Sequence, residues 1–247
     1  MSRFFVEEKN IKEDIILIDD PQDVKHLTRV LRHKAGDIIE ISDGKAFEYE
    51  ITLEVISDKM VKGRILSKQQ FFREPKLEVT LYQSIPKQSK METIVQKSVE
   101  LGVSRVIPMI SERTIVQDKE HHFGKKVQRW QAVSNEAVKQ CRRGIIPKVS
   151  VPISLDQVLE EMKENDLNLF FFEEERTQTV KEVLRSLSGK MVKKAGILIG
   201  PEGGFSEEEA RKITHAGALS VSMGKTVLRV ETAAVAALAM VMYELEL

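Results

Sequence analysis

Ala195-Gly196-Ile197-Leu198-Ile199-Gly200-Pro201-Glu202-Gly203-Gly204-Phe205-Ser206 decides the reading of this chain. The first five residues are an apolar run of the kind that forms a strand buried on both faces. The run stops at Gly200, and Pro201, which has no backbone N–H, prevents its continuation as a ladder strand. Gly203 and Gly204 then give two adjacent positions that lack side chains and are free to take positive φ. Ser206 with Glu209 three residues on forms a capping box, which starts a helix. The spacing predicts a strand, a bare glycine corner and a helix N-terminus in succession, with exposed amides available to cradle a cofactor.

A second glycine corner, Ser222-Met223-Gly224-Lys225, follows another short apolar run and leads through Thr226-Val227-Leu228-Arg229-Val230 to Glu231-Thr232-Ala233-Ala234. Glu231 or Thr232 is expected to cap the last helix, whose Ala233, Ala234, Ala236, Ala237 and Ala239 permit close approach of another backbone. Arg229 and Glu231 place charge between an apolar strand and a buried helix. Such a pair needs either partners, bracing the loop against each other, or a role in chemistry.

Outward from these corners the pattern alternates. Strands are expected at 77–83, 103–110, 167–172, 197–199 and 219–223, and helices at 91–101, 125–140, 180–187, Glu207–His215 and about 231–245, with Gly102 as a C-cap. Apolar strands alternating with helices predict an α/β domain built on a mostly parallel sheet with helices on both faces. Residues 3–67 instead show period two, as in Phe47-Glu48-Tyr49-Glu50-Ile51, with Ser42-Asp43-Gly44-Lys45 as a hairpin turn. One helix interrupts them after Asp20-Pro21, with Val24, Leu27, Val30 and Leu31 on one face. The polar stretch 69–76 separates the two patterns, giving a small β-barrel over 1–72 and the α/β domain over 73–247.

Composition narrows the class. The 247 residues are 42% hydrophobic and 31% charged, with formal net charge zero, so any nucleic-acid binding must come from a local patch. Two runs without acidic residues are candidates: Lys25, Arg29, Arg32 and Lys34, then Lys139, Arg142, Arg143 and Lys148. The one cysteine, Cys141, excludes an intramolecular disulfide, suits a reducing cytosol and is read as a half-buried helical residue without function. Met1-Ser2-Arg3 leads into a short mixed strand, and the longest apolar run, near 233–243, is too short for a bilayer. A cytoplasmic protein without a membrane partner is expected. The five histidines have no metal-ligand spacing, His121-His122 are expected to be solvated, and no metal is expected. Neither a Gly-x-Gly-x-x-Gly fingerprint nor a P-loop occurs.

Gly200-Pro201-Glu202-Gly203-Gly204-Phe205-Ser206, Met223-Gly224 and Leu228-Arg229-x-Glu231-Thr232-Ala233 together resemble the SPOUT methyltransferases. Within them the chain is similar to the RsmE family, which methylates N3 of a uridine in 16S ribosomal RNA. Arg3-Phe4-Phe5, His26-Leu27-x-Arg29-Val30-Leu31-Arg32, Lys90-Met91-Glu92, Ser111-Glu112-Arg113 and residues 136–147 extend the match over the whole chain. Two positions depart from the family pattern: Thr226 stands where arginine is usual, and Cys141-Arg142 where serine and glycine are usual.

The resemblance implies a PUA-like RNA-binding barrel, then a SPOUT domain with a trefoil knot. It implies S-adenosylmethionine as cofactor, a homodimer, and 16S ribosomal RNA or the small subunit as partner. The cofactor residues expected are Phe172, Ile199, Gly200, Gly203, Gly204, Met223, Gly224, Leu228, Thr232 and Ala233. RNA contacts are expected from Arg3, Lys25, Arg29, Arg32, Lys139, Arg142 and Arg143. Arg229 is the candidate for stabilising charge on uracil oxygens or clamping phosphate, and Glu231 and Glu202 are candidate bases or orienting partners. The three phenylalanines 170–172 read as a buried strand, with core packing the commoner fate of such a run. Rival readings are a SPOUT enzyme for another base or a ribose hydroxyl, and a non-catalytic ribosome-assembly factor.

Overall fold

The structure, a computed structural model, describes residues 3–71, 73–115, 123–187, 189 and 191–246, so His121-His122 lie outside the described residues. Its contacts divide it into two units: Met1–Glu74 with Val138–Ile146, and Pro75–Ala137 with Pro147–Leu247.

In the first unit, strands β1 (Arg3–Phe5), β2 (Ile11–Lys12), β3 (Ile15–Ile18), β4 (Ile38–Ser42), β5 (Phe47–Ile56) and β6 (Val61–Gln70) form one sheet in the order β1-β4-β5-β6-β3-β2. Alternate apolar residues of these strands turn inward, so that Phe4, Ile16, Ile18, Ile39, Ile41, Ile51 and Leu53 share one core. The hairpin turn closes as expected: one Asp43 oxygen accepts the amides of Lys45, Ala46 and Phe47 at 2.9–3.0 Å. Helix α1 (Pro21–Lys25) starts where the sequence places it, with Asp20 accepting the amides of Gln22 and Asp23 and Pro21 in the first turn.

The apolar face expected for that helix is only half present. Val24 and Leu27 are buried, but Val30 and Leu31 are 64% and 36% exposed. The chain passes from α-helix to a π-helical turn over His26–Val30, and the wider turn rotates the later positions away from the core.

Three of the expected RNA-binding cations are engaged inside this unit. Arg3 is 2% exposed, faces Glu48 and, at 3.3 Å, Glu40, and donates to the Arg142 carbonyl at 3.0 Å. Arg143 is 6% exposed and pairs with Glu74 at 2.9 Å, while Lys139 lies 3.4 Å from Asp23. A buried guanidinium needs a carboxylate, and Arg3 and Arg143 are held by internal partners instead of being presented to solvent as a phosphate contact requires. Lys25, Arg29, Arg32 and Arg142 remain exposed, the last two in the left-handed region at φ 55° and 58°.

In the second unit β7 (Glu78–Ser84), α2 (Lys90–Glu100), β8 (Arg105–Ile110), α3 (Phe123–Cys141), β9 (Lys148–Val149), β10 (Ile153–Ser154), α4 (Leu155–Glu161), β11 (Leu167–Phe171), α5 (Val180–Ser186), β12 (Lys194–Ile199), α6 (Glu207–His215), β13 (Leu219–Val221) and α7 (Val230–Leu245) follow in order. The last turn of α3 counts with the first unit. The sheet runs β10-β8-β7-β12-β11-β13, with β9 beside β8, and every pairing is parallel. This is the parallel sheet expected from the apolar strands, with β11 and β12 buried almost throughout.

Gly102 ends α2 at φ +100°, where a Cβ would also lie 2.9 Å from Met242 and Pro75. Helix α4 is absent from the expected elements, although Ser154 and Gln157 form a complete capping box that announces it. The last helix is not capped as expected. Its N-cap is Arg229, without a side-chain cap, and Glu231 and Thr232 lie inside the first turn. No helix among the described residues is long and apolar enough to cross a membrane.

Glu74 tests the internal charges of the first unit. Its carboxylate accepts from Arg143 and from the amides of Gly144 at 2.6 Å and Ile145 at 3.1 Å. Glu74→Ala leaves the buried guanidinium without that carboxylate, so urea unfolding should show a loss of about 3 kcal/mol. A loss under about 1 kcal/mol, the range of a surface pair, would show that the contact does not hold this segment.

Candidate functional site

Strands β12, β11 and β13 are adjacent and parallel, so their C-terminal ends open on the same edge of the sheet. That edge is where open α/β sheets bind ligands. A cavity of about 390 Å³ lies there. Phe171, Phe172 and Glu173 form one wall beyond β11, and Ile199, Gly200, Pro201, Glu202 and Gly204 a second beyond β12. Met223, Gly224, Thr226, Leu228, Arg229 and Ala233 form the third, between β13 and α7. Eight of the ten expected cofactor residues are thus brought together, along with Arg229 and Glu202.

The glycines divide by role. Gly204 takes φ +65°, and a Cβ there would overlap the Glu173 carboxylate. Gly224 takes φ +131° and faces open space. Gly203 does not match its expected role: its φ is not left-handed, a Cβ would meet Arg113 only at 3.5 Å, and it does not line the cavity. Its carbonyl instead accepts from the Arg113 guanidinium at 2.8 Å. Thr232, exposed on the first turn of α7, also lies off the cavity.

The Ser206–Glu209 capping box forms as expected. It also closes the helix end, because Glu209 accepts the Glu112 amide at 2.7 Å and the Ser206 hydroxyl donates to Glu112 at 2.6 Å. The N-terminus of α6 is therefore spent on its own cap and does not line the cavity. Loop backbone, not a helix end, makes the wall.

The phenylalanines split. Phe170 is fully buried and stacks 5.1 Å from Phe172 and edge-on 5.2 Å from Phe205, whereas Phe171 and Phe172 face the cavity.

Charge at the cavity centres on Lys90, which opens α2. Its ammonium lies 2.8 Å from Glu202 and 3.6 Å from Glu231. Glu202 also accepts the Lys87 amide at 3.1 Å. Burial alone would raise the Glu202 carboxyl, but the Lys90 hydrogen bond and nearby amides outweigh it and hold the group below its ordinary value. The hydrogen bond to Glu202 raises Lys90 in turn. Glu231 therefore faces Lys90, not Arg229; one of its oxygens is buried without a hydrogen-bond partner, and the residue is not part of the cavity lining. Arg229 is exposed at the cavity and forms no ion pair among the described residues.

Lys90 and Arg176 line the site without having been singled out in the sequence. Lys90 stood in a recognised stretch, but nothing local says that its ammonium meets a carboxylate 112 residues away. Beside the cavity Glu175 ties its own turn, accepting the Thr177 hydroxyl at 2.6 Å and its amide at 2.8 Å. These bonds lower its carboxyl to about 2.

This unit is a parallel α/β domain with a ligand-sized cavity at its strand ends. A model of the RNA methyltransferase domain matches residues 73–242, and a model of the RNA methyltransferase PUA domain matches residues 18–66. Ribosomal RNA small subunit methyltransferase E of Bacillus subtilis is 30% identical over 100% of this chain and 98% of its own. That of Aquifex aeolicus is 32% identical over 98% and 99%. The solved structure of ribosomal RNA small subunit methyltransferase E from Neisseria gonorrhoeae, bound to S-adenosylmethionine, superposes with a TM-score of 0.85 at 31% identity, covering 98% of this chain and 97% of that one. The chain belongs to the ribosomal RNA small subunit methyltransferase E family, the RsmE family.

The two adjacent glycines should separate on substitution. Gly204→Ala forces a Cβ into the left-handed region and onto Glu173, and should cost about 1 kcal/mol or more in thermal unfolding. Gly203→Ala should stay within about 0.5 kcal/mol. Equal effects would contradict this assignment of roles.

For Glu175 the sign is set by a folded value below the ordinary 4.5. Its contribution is complete above about pH 4.5 and fades as pH falls towards 2. A carbon-13 titration of its carboxyl should give a midpoint near 2, and one near 4.5 would mean that the turn does not hold it.

Proposed function

We propose that this chain is an S-adenosylmethionine-dependent methyltransferase acting on N3 of a uridine in 16S ribosomal RNA. The observation that carries the reading is the cavity itself. In a chain of this family, two corners with left-handed glycines and three loop walls converge at the ends of β11, β12 and β13. The cavity fits the cofactor's demands: backbone without side chains at Gly200 and Gly224 permits close approach, and Phe172, Ile199, Met223 and Leu228 form an apolar slot.

When bound, the cofactor's sulfonium supplies an activated methyl group for in-line displacement, and positioning of the reactants provides most of the acceleration. Arg229, exposed at the mouth and free of ion pairs among the described residues, is suited to hold the uracil oxygens, on which negative charge grows as N3 loses its proton. Glu202 is a poor proton acceptor because Lys90 and the Lys87 amide already stabilise its charged form. Glu231 does not line the cavity and its buried Oε2 faces Lys90 at 3.6 Å, so it is no better placed to take the proton and serves to orient Lys90.

In this reading residues 1–72 are the RNA platform and 73–247 the methyltransferase domain. Lys25, Arg29, Arg32 and Arg142 supply the phosphate contacts. A cytoplasmic homodimer and a trefoil knot belong to the same reading. Purified protein should transfer radiolabelled methyl from S-adenosylmethionine to 16S ribosomal RNA or small subunits from cells lacking the modification. Label on a ribose or another base, or none, would refute it.

Neutralising Arg29 and Arg32 together should weaken RNA binding and lower the salt slope by about 2, leaving cofactor affinity unchanged. Loss of cofactor affinity with RNA binding intact would overturn the platform. Arg229→Lys keeps the charge and loses the planar fork, so methyl transfer should fall more than about tenfold, or 1.4 kcal/mol of barrier. Melting temperature and cofactor affinity should barely move; stability lost in proportion to activity would make Arg229 a loop brace.

A further inference from the structure

Two carboxylates line the cavity, and they stand in different electrical settings. Glu202 is matched by Lys90 at 2.8 Å and by the Lys87 amide. Glu173 is not matched. It lines the cavity just beyond β11, its carboxylate rests on the bare face of Gly204, and no cation among the described residues forms an ion pair with it. Arg176, three residues on, directs a guanidinium nitrogen to the backbone carbonyls of Glu173 and, at 3.1 Å, Glu175.

Glu173 is exposed, and an unmatched carboxylate on the wall of a ligand-sized cavity favours a cation there. The left-handed backbone of Gly204 makes room for it, since any Cβ there would displace the carboxylate. We propose that Glu173 is the cation anchor of this cavity, pairing with a positively charged centre of the cofactor.

The inference rests on the cofactor reading above. S-adenosylmethionine offers two such centres, the sulfonium and the α-ammonium. If the sulfonium is the one held, methyl transfer erases the charge that Glu173 binds and loosens the product. If it is the ammonium, substrate and product are held alike.

Calorimetry with Glu173→Gln, which keeps the shape and removes the charge, tests the anchor against three ligands. S-adenosylmethionine carries both charges, S-adenosylhomocysteine only the ammonium, and 5′-methylthioadenosine neither. The variant should bind S-adenosylmethionine at least tenfold more weakly and 5′-methylthioadenosine within twofold of wild type. A matching loss for S-adenosylhomocysteine assigns the contact to the ammonium, and an unchanged affinity assigns it to the sulfonium; either supports the anchor. Unchanged affinity for S-adenosylmethionine, or an equal loss for 5′-methylthioadenosine, overturns it while leaving the cofactor reading intact. Failure of the wild type to bind S-adenosylmethionine would overturn both.

Discussion

Ile199 is paired across both edges of β12, opposite Phe171 of β11 on one side and Gln83 of β7 on the other, while Phe171 in turn lies opposite Val221 of β13. These pairings fix the level at which three parallel strands end together. Gly200 and Pro201 follow at once, and without an N–H Pro201 cannot add another rung. The chain must leave the sheet there, as it does beyond Phe171 and Val221. The cavity is the space those three departures enclose.

The same residue types do opposite work according to what surrounds them. In the first unit Arg3 and Arg143 are buried against Glu40, Glu48 and Glu74, whereas Lys25, Arg29, Arg32 and Arg142 face solvent. In the second, Lys90 holds Glu202 and faces Glu231, while Arg229 and Glu173 at the same cavity stand outside that network. Charge committed to internal partners stabilises the fold, and charge left over is available to a ligand.

Period and punctuation made much of this legible from sequence. Apolar runs gave the parallel strands, Asp20-Pro21 and Ser206–Glu209 gave helix starts, and the glycine corners gave the cavity walls. What was not legible depends on distance in space. A π-helical turn at His26–Val30 changed which residues of one helix face inward, and no local pattern signals such a turn. Gly203 and Gly204 are indistinguishable as letters; only the fold puts Glu173 against one and Arg113 near the other. Acid-free runs could not disclose that Arg143 meets Glu74, 69 residues earlier.

We propose that the cavity at the ends of β11, β12 and β13 serves methylation of a uridine at N3 in 16S ribosomal RNA. Nucleoside mass spectrometry of 16S ribosomal RNA from cells with and without this gene tests it most directly. 3-Methyluridine should be present in the parent, lost on deletion and restored by the wild-type gene. An undiminished 3-methyluridine signal in the deletion strain, or loss of a different modified nucleoside, would contradict it.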